Sequence, residues 1–152
     1  MPVLHVVLYQ PEIPYNAGNA GRTCLAIGGK LWLVRPLGFQ LDDRHVRRAG
    51  MDYWQHVQHQ VVEDWPSLLD CLAGRRFWYL TKTAARVYTE ARFEKGDVLV
   101  FGSESQGLPP AMLAENADHC LRIPTSAKVR SLNLAVCVGI VAYEAVRQLA
   151  ER

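Results

Sequence analysis

The chain has 152 residues, of which 49% are hydrophobic and 21% are charged, and its formal net charge is +2. This length suits a single domain, residues 1–152, with a buried core, and the composition excludes an intrinsically disordered chain. The longest apolar run, 134–143, is far shorter than the roughly 20 residues that cross a bilayer, so we expect no membrane segment.

Apolar runs and helix signals alternate from one end of the chain to the other. Runs rich in β-branched and aromatic residues predict strands at 3–9, 30–34, 56–62, 77–81, 97–101 and 120–123. Capping residues and helical spacing predict helices at 16–27, 42–50, 64–72, 110–115 and 131–151. Because the two kinds of element alternate, the order predicts an α/β fold with a mostly parallel sheet and helices on both faces.

Particular residues are expected to begin and end these helices. Either Asn16 or Asn19 is expected to cap the first helix, because asparagine side chains accept hydrogen bonds from helix N-termini. Asp64 is expected to cap the third helix for the same reason. Gly28 follows the first helix and is expected to end it in a left-handed conformation.

The last predicted helix carries two apolar stripes. One stripe contains Leu134, Val138, Val141, Ala145 and Leu149, and the other contains Leu132, Val136, Ile140 and Tyr143. One stripe would cover a sheet, so two stripes predict that the helix is buried on both sides. A second copy of the chain is the simplest partner, which predicts a homodimer through the C-terminal helix. The alternative is a central helix in a compact monomer.

The cysteines do not indicate a metal site. Cys24, Cys71, Cys120 and Cys137 form no Cys-x-x-Cys pair and no Cys/His set with ligand spacing, so we expect no bound metal. Each stands among apolar residues, as buried and reduced thiols do. The first residues show no charged and then apolar leader. We therefore expect a cytoplasmic protein.

Two loops have the composition of ligand-binding loops in α/β proteins. The segment 16–22 places asparagines, glycines and Arg22 around a helix start, where phosphate can bind. The segment 102–107 follows a predicted strand directly and carries a glycine at each end. Its spacing excludes a Walker A loop, a Rossmann fingerprint and a serine-hydrolase elbow. Taken singly, each segment also fits an ordinary turn or a capped surface helix.

Taken together, four ordered motifs resemble those of the SPOUT superfamily of RNA methyltransferases. The motifs are Pro11-Glu12-Ile13-Pro14 with Asn16-Ala17-Gly18-Asn19 and Arg22; Arg47-Arg48-Ala49-Gly50-Met51-Asp52-Tyr53; Phe101-Gly102-Ser103-Glu104 with Gly107-Leu108-Pro109; and Ile123-Pro124 with Arg130-Ser131-Leu132-Asn133-Leu134. The chain most resembles the minimal branch that methylates the ribose 2'-hydroxyl of the wobble nucleotide in certain tRNAs. The resemblance covers essentially the whole chain.

The resemblance implies a C-terminal trefoil knot, a homodimer and S-adenosylmethionine (AdoMet) as the cofactor. It implies that AdoMet is held by residues of three separate loops, which are Leu80, Gly102, Glu104, Ile123, Ser131 and Leu132. It also implies a part in catalysis for Arg22 and for Tyr143 on the interface helix. Because the pKa of a guanidinium exceeds about 12, we expect Arg22 to position the substrate and stabilise charge and not to act as a base.

The implied substrate is the anticodon region of tRNA. The residues expected to face RNA are Asn16, Asn19, Arg22, Arg47 and Arg48. The arginines near position 47 equally fit a solvated helix face. Other readings stay open, namely methylation of another tRNA or rRNA site, an RNA-binding module without catalysis, and a small-ligand oxidoreductase or hydrolase on an unknotted sheet.

The chain departs from the motif pattern at two places. Ser105-Gln106 stands where many relatives have Thr-Arg or Thr-Lys, so one positive charge near the implied site is missing. Ala135-Val136 stands where relatives often have Ser-Asn, which removes two hydrogen-bonding groups. These differences concern the details of cofactor binding and the polarity of the interface, and not the class of reaction.

Overall fold

The computed structural model describes residues 1–42, 44 and 52–151. Most of the helix predicted at 42–50 lies outside the described residues. The same holds for Arg47 and Arg48, whose predicted contact with RNA stays a prediction.

The described residues contain one seven-stranded parallel sheet. The strands are β1 His5–Tyr9, β2 Lys30–Val34, β3 His59–Val62, β4 Phe77–Leu80, β5 Arg86–Val87, β6 Val98–Phe101 and β7 Cys120–Arg122. Their order across the sheet is β3-β2-β1-β6-β4-β7-β5, and every neighbouring pair is parallel. The predicted parallel sheet is thus confirmed. The short edge strand β5 was not predicted, because its two residues lie in a polar stretch without an apolar run.

Helices cover the sheet on both faces, as predicted. They are α1 Pro14–Ile27, α2 Trp65–Cys71, α3 Pro110–Glu115 and α4 Leu134–Ala150, and short 3-10 helices lie at Asp52–His56, Tyr88–Glu90 and Ala117–His119. In β1, Val6 and Leu8 pack into the core cluster that contains residues of α1 and α4. Val7 packs into a second cluster with residues of α2 and α3. Successive strand residues point to opposite faces, so each face of β1 has its own core.

The start of α1 differs from the prediction. The helix begins at Pro14 with Ile13 as its N-cap, so the prediction that Asn16 or Asn19 caps it is wrong. Proline suits the first helical position because its φ is already helical and its missing N–H needs no partner. The side chain of Ile13 makes no capping hydrogen bond. As predicted, Gly28 ends the helix with φ 75°.

The short helix α2 confirms one prediction and corrects another. Asp64 caps it, since its Oδ1 accepts hydrogen bonds from the Ser67 N–H (2.9 Å) and the Ser67 hydroxyl (2.6 Å). Cys71 is exposed, so the prediction that all four cysteines are buried is wrong. The helix turns Leu68 and Leu72 to the core. Cys71 lies on the side of the helix, beside Gln60 of the edge strand β3.

One apolar stripe of α4 is covered and the other is open. The helix begins after Asn133, whose Oδ1 accepts a hydrogen bond from the Val136 N–H (3.2 Å). The first stripe is buried at Leu134, Val138, Val141 and Ala145. In the second stripe Val136 is 49% exposed and Tyr143 is 51% exposed. Within the described residues, every helix is too short or too polar to cross a membrane.

Candidate functional site

Three adjacent strands bring predicted cofactor residues to one edge of the sheet. Leu80 at the end of β4 pairs in register with Phe101 of β6 on one side and with Leu121 of β7 on the other. The loops that start at Gly102 and near Ile123 therefore leave the sheet beside Leu80. The carboxyl ends of parallel strands are the usual place for a bound ligand in this kind of fold.

The turn after β6 is closed by its own backbone. The N–H of Gly107 donates to the Ser103 carbonyl (3.0 Å), and the two residues form an isolated bridge. A Cβ at Gly102 would collide with the backbone of Gly107 and Leu108. Gly107 has φ 69°, a left-handed conformation that favours glycine, and it borders open space. We call residues 102–107 the cofactor turn, after the role that the resemblance implies for them. The result is a tight loop with open space beside Gly107.

Glu104 joins the cofactor turn to the start of α1. Its carboxylate accepts hydrogen bonds from the backbone N–H of Glu12 (2.8 Å) and the backbone N–H of Ile13 (2.8 Å). These N–H groups lie just before the first helical residue, where a negative charge is favourable. Glu104 thus holds the segment that leads into α1, although it accepts from no backbone N–H of the helix itself.

Asn16 and Asn133 extend this contact to the start of α4. The Nδ2 of Asn16 donates to Glu104 (3.0 Å), and its Oδ1 accepts from the Nδ2 of Asn133 (2.9 Å). Asn16 is buried, so both ends of its amide need partners, and both have them. Three predicted motifs therefore meet through Asn16, Glu104 and Asn133, which we call the motif network.

Glu12 makes a return contact to the cofactor turn. Its Oε1 accepts hydrogen bonds from the N–H (2.9 Å) and the hydroxyl (2.6 Å) of Ser105. These hydrogen bonds lower the pKa of the Glu12 carboxyl below its usual value. Glu12 and Asn133 were not among the predicted site residues. Both stand inside the motifs. The position of Asn133 just before a helical apolar stripe could have identified it as the cap of the last helix.

A second part of the site is a cavity of about 400 Å³ between α1 and α4. Its lining residues are Asn19, Arg22, Thr23, Ala26, Asn133, Ala135, Val136 and Tyr143. Arg22 and Tyr143, which were predicted to take part in catalysis, thus face the same space. A guanidinium, an amide and a phenol are suitable groups for holding phosphate and ribose oxygens. Asn133 belongs to both the cavity and the motif network and so connects the two.

Tyr53 and Trp54 hold the part of α1 that carries Arg22. The guanidinium carbon of Arg22 lies 5.3 Å from the centre of the Tyr53 ring. The Tyr53 hydroxyl donates to the Gly18 carbonyl (3.0 Å), and burial raises the pKa of Tyr53. A Cβ at Gly21 would come within 2.6 Å of the Trp54 ring, so the 3-10 helix at Asp52–His56 packs directly on α1. Tyr53 lies in a predicted motif, but no role had been predicted for it.

The predicted site residues thus fall into two groups joined by the motif network. Leu80, Gly102 and Ile123 lie at the sheet edge, and Asn19, Arg22 and Tyr143 line the cavity. Ser131 and Leu132 lie between β7 and α4, where Ser131 is exposed and Leu132 is partly buried.

Comparisons with known proteins agree with this architecture. The family described as "SpoU rRNA Methylase family" matches residues 3–143. The tRNA (cytidine(34)-2'-O)-methyltransferase of Methylovorus glucosotrophus is 44% identical over 144 residues, which cover 94% of each chain. A solved structure presented as "Structural insights into the 2-OH methylation of C/U34 on tRNA" is 50% identical, with a TM-score of 0.91, over 98% of this chain and 97% of that chain. The AdoMet-bound rRNA methyltransferase from Sinorhizobium meliloti is 28% identical, with a TM-score of 0.83, over 96% of this chain and 56% of that chain. Sequence and fold agree along nearly the whole length, and the chain belongs to the SpoU rRNA methylase family.

Proposed function

We propose that this protein transfers a methyl group from AdoMet to the ribose 2'-hydroxyl of nucleotide 34 in tRNA, a cytidine or a modified uridine. The observation that carries the proposal is the motif network, in which Asn16, Glu104 and Asn133 connect the cofactor turn to the cavity that contains Arg22. The 44% identical relative that carries this activity in its name supports the choice of substrate.

The sheet edge has the chemistry that AdoMet requires. Leu80 and Ile123 are partly buried apolar residues at the same edge of the sheet as the cofactor turn, which suits an adenine ring and a close approach to the glycine backbone. We propose that AdoMet is held by Leu80, Gly102, Ile123 and the segment Ser131–Leu132. When bound there, AdoMet supplies an activated methyl group. The AdoMet-bound relative at 28% identity supports this assignment.

The work of the chain's own residues is alignment of the two reactants. Holding two reactants in the productive geometry can lower a barrier by roughly 7–11 kcal/mol. Arg22 carries a permanent positive charge and a forked donor set, so we assign it the positioning of the substrate phosphate and the stabilisation of negative charge on the ribose oxygen. We further propose that Tyr143 contacts the substrate, since it faces the same cavity. The hydroxyl proton then leaves late or passes through a substrate phosphate.

We also infer that the protein acts as a homodimer through α4. The open stripe of α4 with Val136 and Tyr143 supports this inference, as does Leu25 of α1, which is 40% exposed. Together these residues leave apolar side chains of two packed helices open to solvent in a single chain.

We infer, in addition, that the C-terminal part forms a trefoil knot. After β7 the chain has to pass the ends of β4 and β6 before α4 starts beside Asn16. This route supports threading of 123–133 through the loops that follow those strands. An experimental structure in which that segment passes outside both loops would contradict the knot.

Two measurements on the purified protein test the proposed function. Calorimetric titration should give AdoMet binding at about micromolar levels, and AdoMet with a tritiated methyl group should label tRNA that lacks modification. Cofactor binding without transfer to any RNA would indicate a silent RNA-binding module. Labelling of rRNA and not tRNA would place the substrate elsewhere. No binding of AdoMet would contradict the proposal as a whole.

A further inference from the structure

Two carboxylates link the cofactor turn to the loop before α1. One belongs to the turn and contacts the loop, and the other belongs to the loop and contacts the turn. Glu104 of the turn accepts hydrogen bonds from the backbone of Glu12 and Ile13. Glu12 of the loop accepts from both the N–H and the hydroxyl of Ser105 in the turn. Glu12 and Ser105 lie 93 residues apart in sequence, so their contact fixes the relative position of two distant segments.

The contact of Glu12 with Ser105 adds little to the core of the fold. Both residues are exposed and lie outside the two core clusters, so loss of their contact should leave the fold intact. Leu108, the residue just beyond the turn, is buried in the core and anchors that end of it. The position of the turn's tip, in contrast, depends on hydrogen bonds made by Ser105 and Ser103.

With Glu12 in place, successive backbone N–H groups at the tip of the turn have partners within the protein. The N–H of Ser105 donates to Glu12, the N–H of Gln106 to the Ser103 hydroxyl (3.3 Å), and the N–H of Gly107 to the Ser103 carbonyl (3.0 Å). Three successive backbone donors are therefore used inside the protein. A loop already held in its binding conformation loses less entropy when a ligand binds.

We propose that Glu12 and Ser105 are a positioning pair, which holds the cofactor turn in its AdoMet-binding conformation and ties it to the helix that carries Arg22. The inference rests on the proposed function, because AdoMet is the ligand of the turn. Neither side chain touches the reacting atoms. Their effect is expected on cofactor affinity, and the rate with saturating cofactor should change little.

The chain contains a matched control for this pair. At the start of α2, Asp64 accepts hydrogen bonds from the N–H (2.9 Å) and the hydroxyl (2.6 Å) of Ser67, the same pattern at the same distances. Asp64 and Ser67 cap a helix that lies on the sheet face opposite to α1 and α4. Loss of the Ser67 hydroxyl thus removes an equivalent hydrogen bond away from the cofactor turn.

The test compares Ser105→Ala, Ser105→Thr and Ser67→Ala by calorimetric titration with AdoMet and by steady-state methylation of tRNA. Loss of one hydrogen bond to a carboxylate should weaken AdoMet binding by about tenfold in Ser105→Ala. The KM for AdoMet should rise by a similar factor, with kcat within about twofold of the unaltered protein. Ser105→Thr keeps the hydroxyl and should restore affinity to within about twofold, and Ser67→Ala should bind AdoMet normally.

A double-mutant comparison shows whether Glu12 acts through Ser105. Glu12→Ala removes both hydrogen bonds and should weaken AdoMet binding at least as much as Ser105→Ala. The double variant should bind no more weakly than Glu12→Ala alone. Unchanged affinity in Ser105→Ala, or an equal loss in Ser67→Ala, would overturn the positioning role while the proposed function stands. Failure of the unaltered protein to bind AdoMet would overturn both.

Discussion

Arg22 shows how a single side chain obtains its position from several separate segments. The ring of Tyr53 lies beside the guanidinium of Arg22. The Tyr53 hydroxyl donates to the Gly18 carbonyl, one helical turn before Arg22. Residues 16–22 and the Tyr53 motif could be selected from the sequence because they resemble a family pattern. The distances between them could not, since they depend on how the 3-10 helix at Asp52–His56 packs against Gly21.

Arg22→Ala should abolish methyl transfer and leave AdoMet affinity nearly unchanged. Arg22 lines the cavity and is not at the sheet edge where the cofactor is proposed to bind. Arg22→Lys keeps the charge without the forked donors, so we expect it to keep only a small part of the activity. Tritiated-methyl transfer and calorimetric titration of the same samples measure both quantities. Normal turnover in Arg22→Ala would move the central role to another residue.

His5 should make the stability of the protein depend on pH. Burial, with smaller effects from the charges of Arg75 and Lys30, lowers the pKa of His5 from 6.5 to about 4. The Trp32 Nε1 donates to its Nδ1 (3.0 Å), and its buried Nε2 has no hydrogen-bond partner among the described residues. Below about pH 6.5 the unfolded chain binds a proton that the folded chain does not bind until about pH 4.

The free energy of unfolding should therefore fall as the pH drops through this range. The contribution of His5 amounts to about 2 kcal/mol between about pH 7 and about pH 5. Denaturant unfolding at both pH values should show this loss in the unaltered protein and a smaller loss in His5→Gln, which keeps an acceptor for Trp32. Equal losses in the two proteins would contradict a neutral buried His5.

For the helices and strands, the sequence predicted the type of each element more accurately than it predicted the residue at which the element begins. Strands β2 and β4 and helix α3 were predicted within a residue of their observed ends, because apolar runs and prolines mark them clearly. The start of α1 was missed, because the residues that lead into it are held by Glu104, far along the chain. Local signals cannot predict a contact supplied by a distant loop.

Gly102→Ala should disrupt the cofactor turn and with it AdoMet binding. The added methyl group would collide with the backbone of Gly107, which cannot move without opening the turn. We expect AdoMet affinity to fall by at least about tenfold, measured by calorimetry. Gly74→Ala is the control for a strained glycine substitution away from the turn, because Gly74 has a positive φ (82°) and lies in a loop after α2. If both variants bound AdoMet like the unaltered protein, the turn would not hold the cofactor.

At the scale of the whole molecule, the main question is what covers the open stripe of α4. The two-stripe pattern could be read from the sequence, and one stripe is indeed buried against the sheet and α1. The partner of the second stripe could not be identified from the pattern, since any apolar surface satisfies it. In the same way, the alternation of elements predicted the parallel sheet. The expectation of a trefoil knot came only from the family resemblance, because knots are nearly absent among folds.

Val136→Asp should convert the proposed dimer to monomers. A carboxylate on the apolar stripe that the second copy is proposed to cover would be buried without a partner, which is strongly unfavourable. Val129→Asp is the matched control, because Val129 is 46% exposed and Val136 is 49% exposed, but Val129 lies in the loop before α4. Gel filtration with light scattering should give a dimer for the unaltered protein and the control. A monomeric unaltered protein at micromolar concentration would contradict the dimer.

We propose that the site joined by Asn16, Glu104 and Asn133 methylates one ribose in tRNA. The most direct measurement is mass spectrometry of nucleosides and fragments from tRNA incubated with the purified protein and AdoMet. We predict a 2'-O-methyl group on nucleotide 34, with none formed by Arg22→Ala. A methyl group at another nucleotide, on a base and not a ribose, or on no RNA at all would contradict the account.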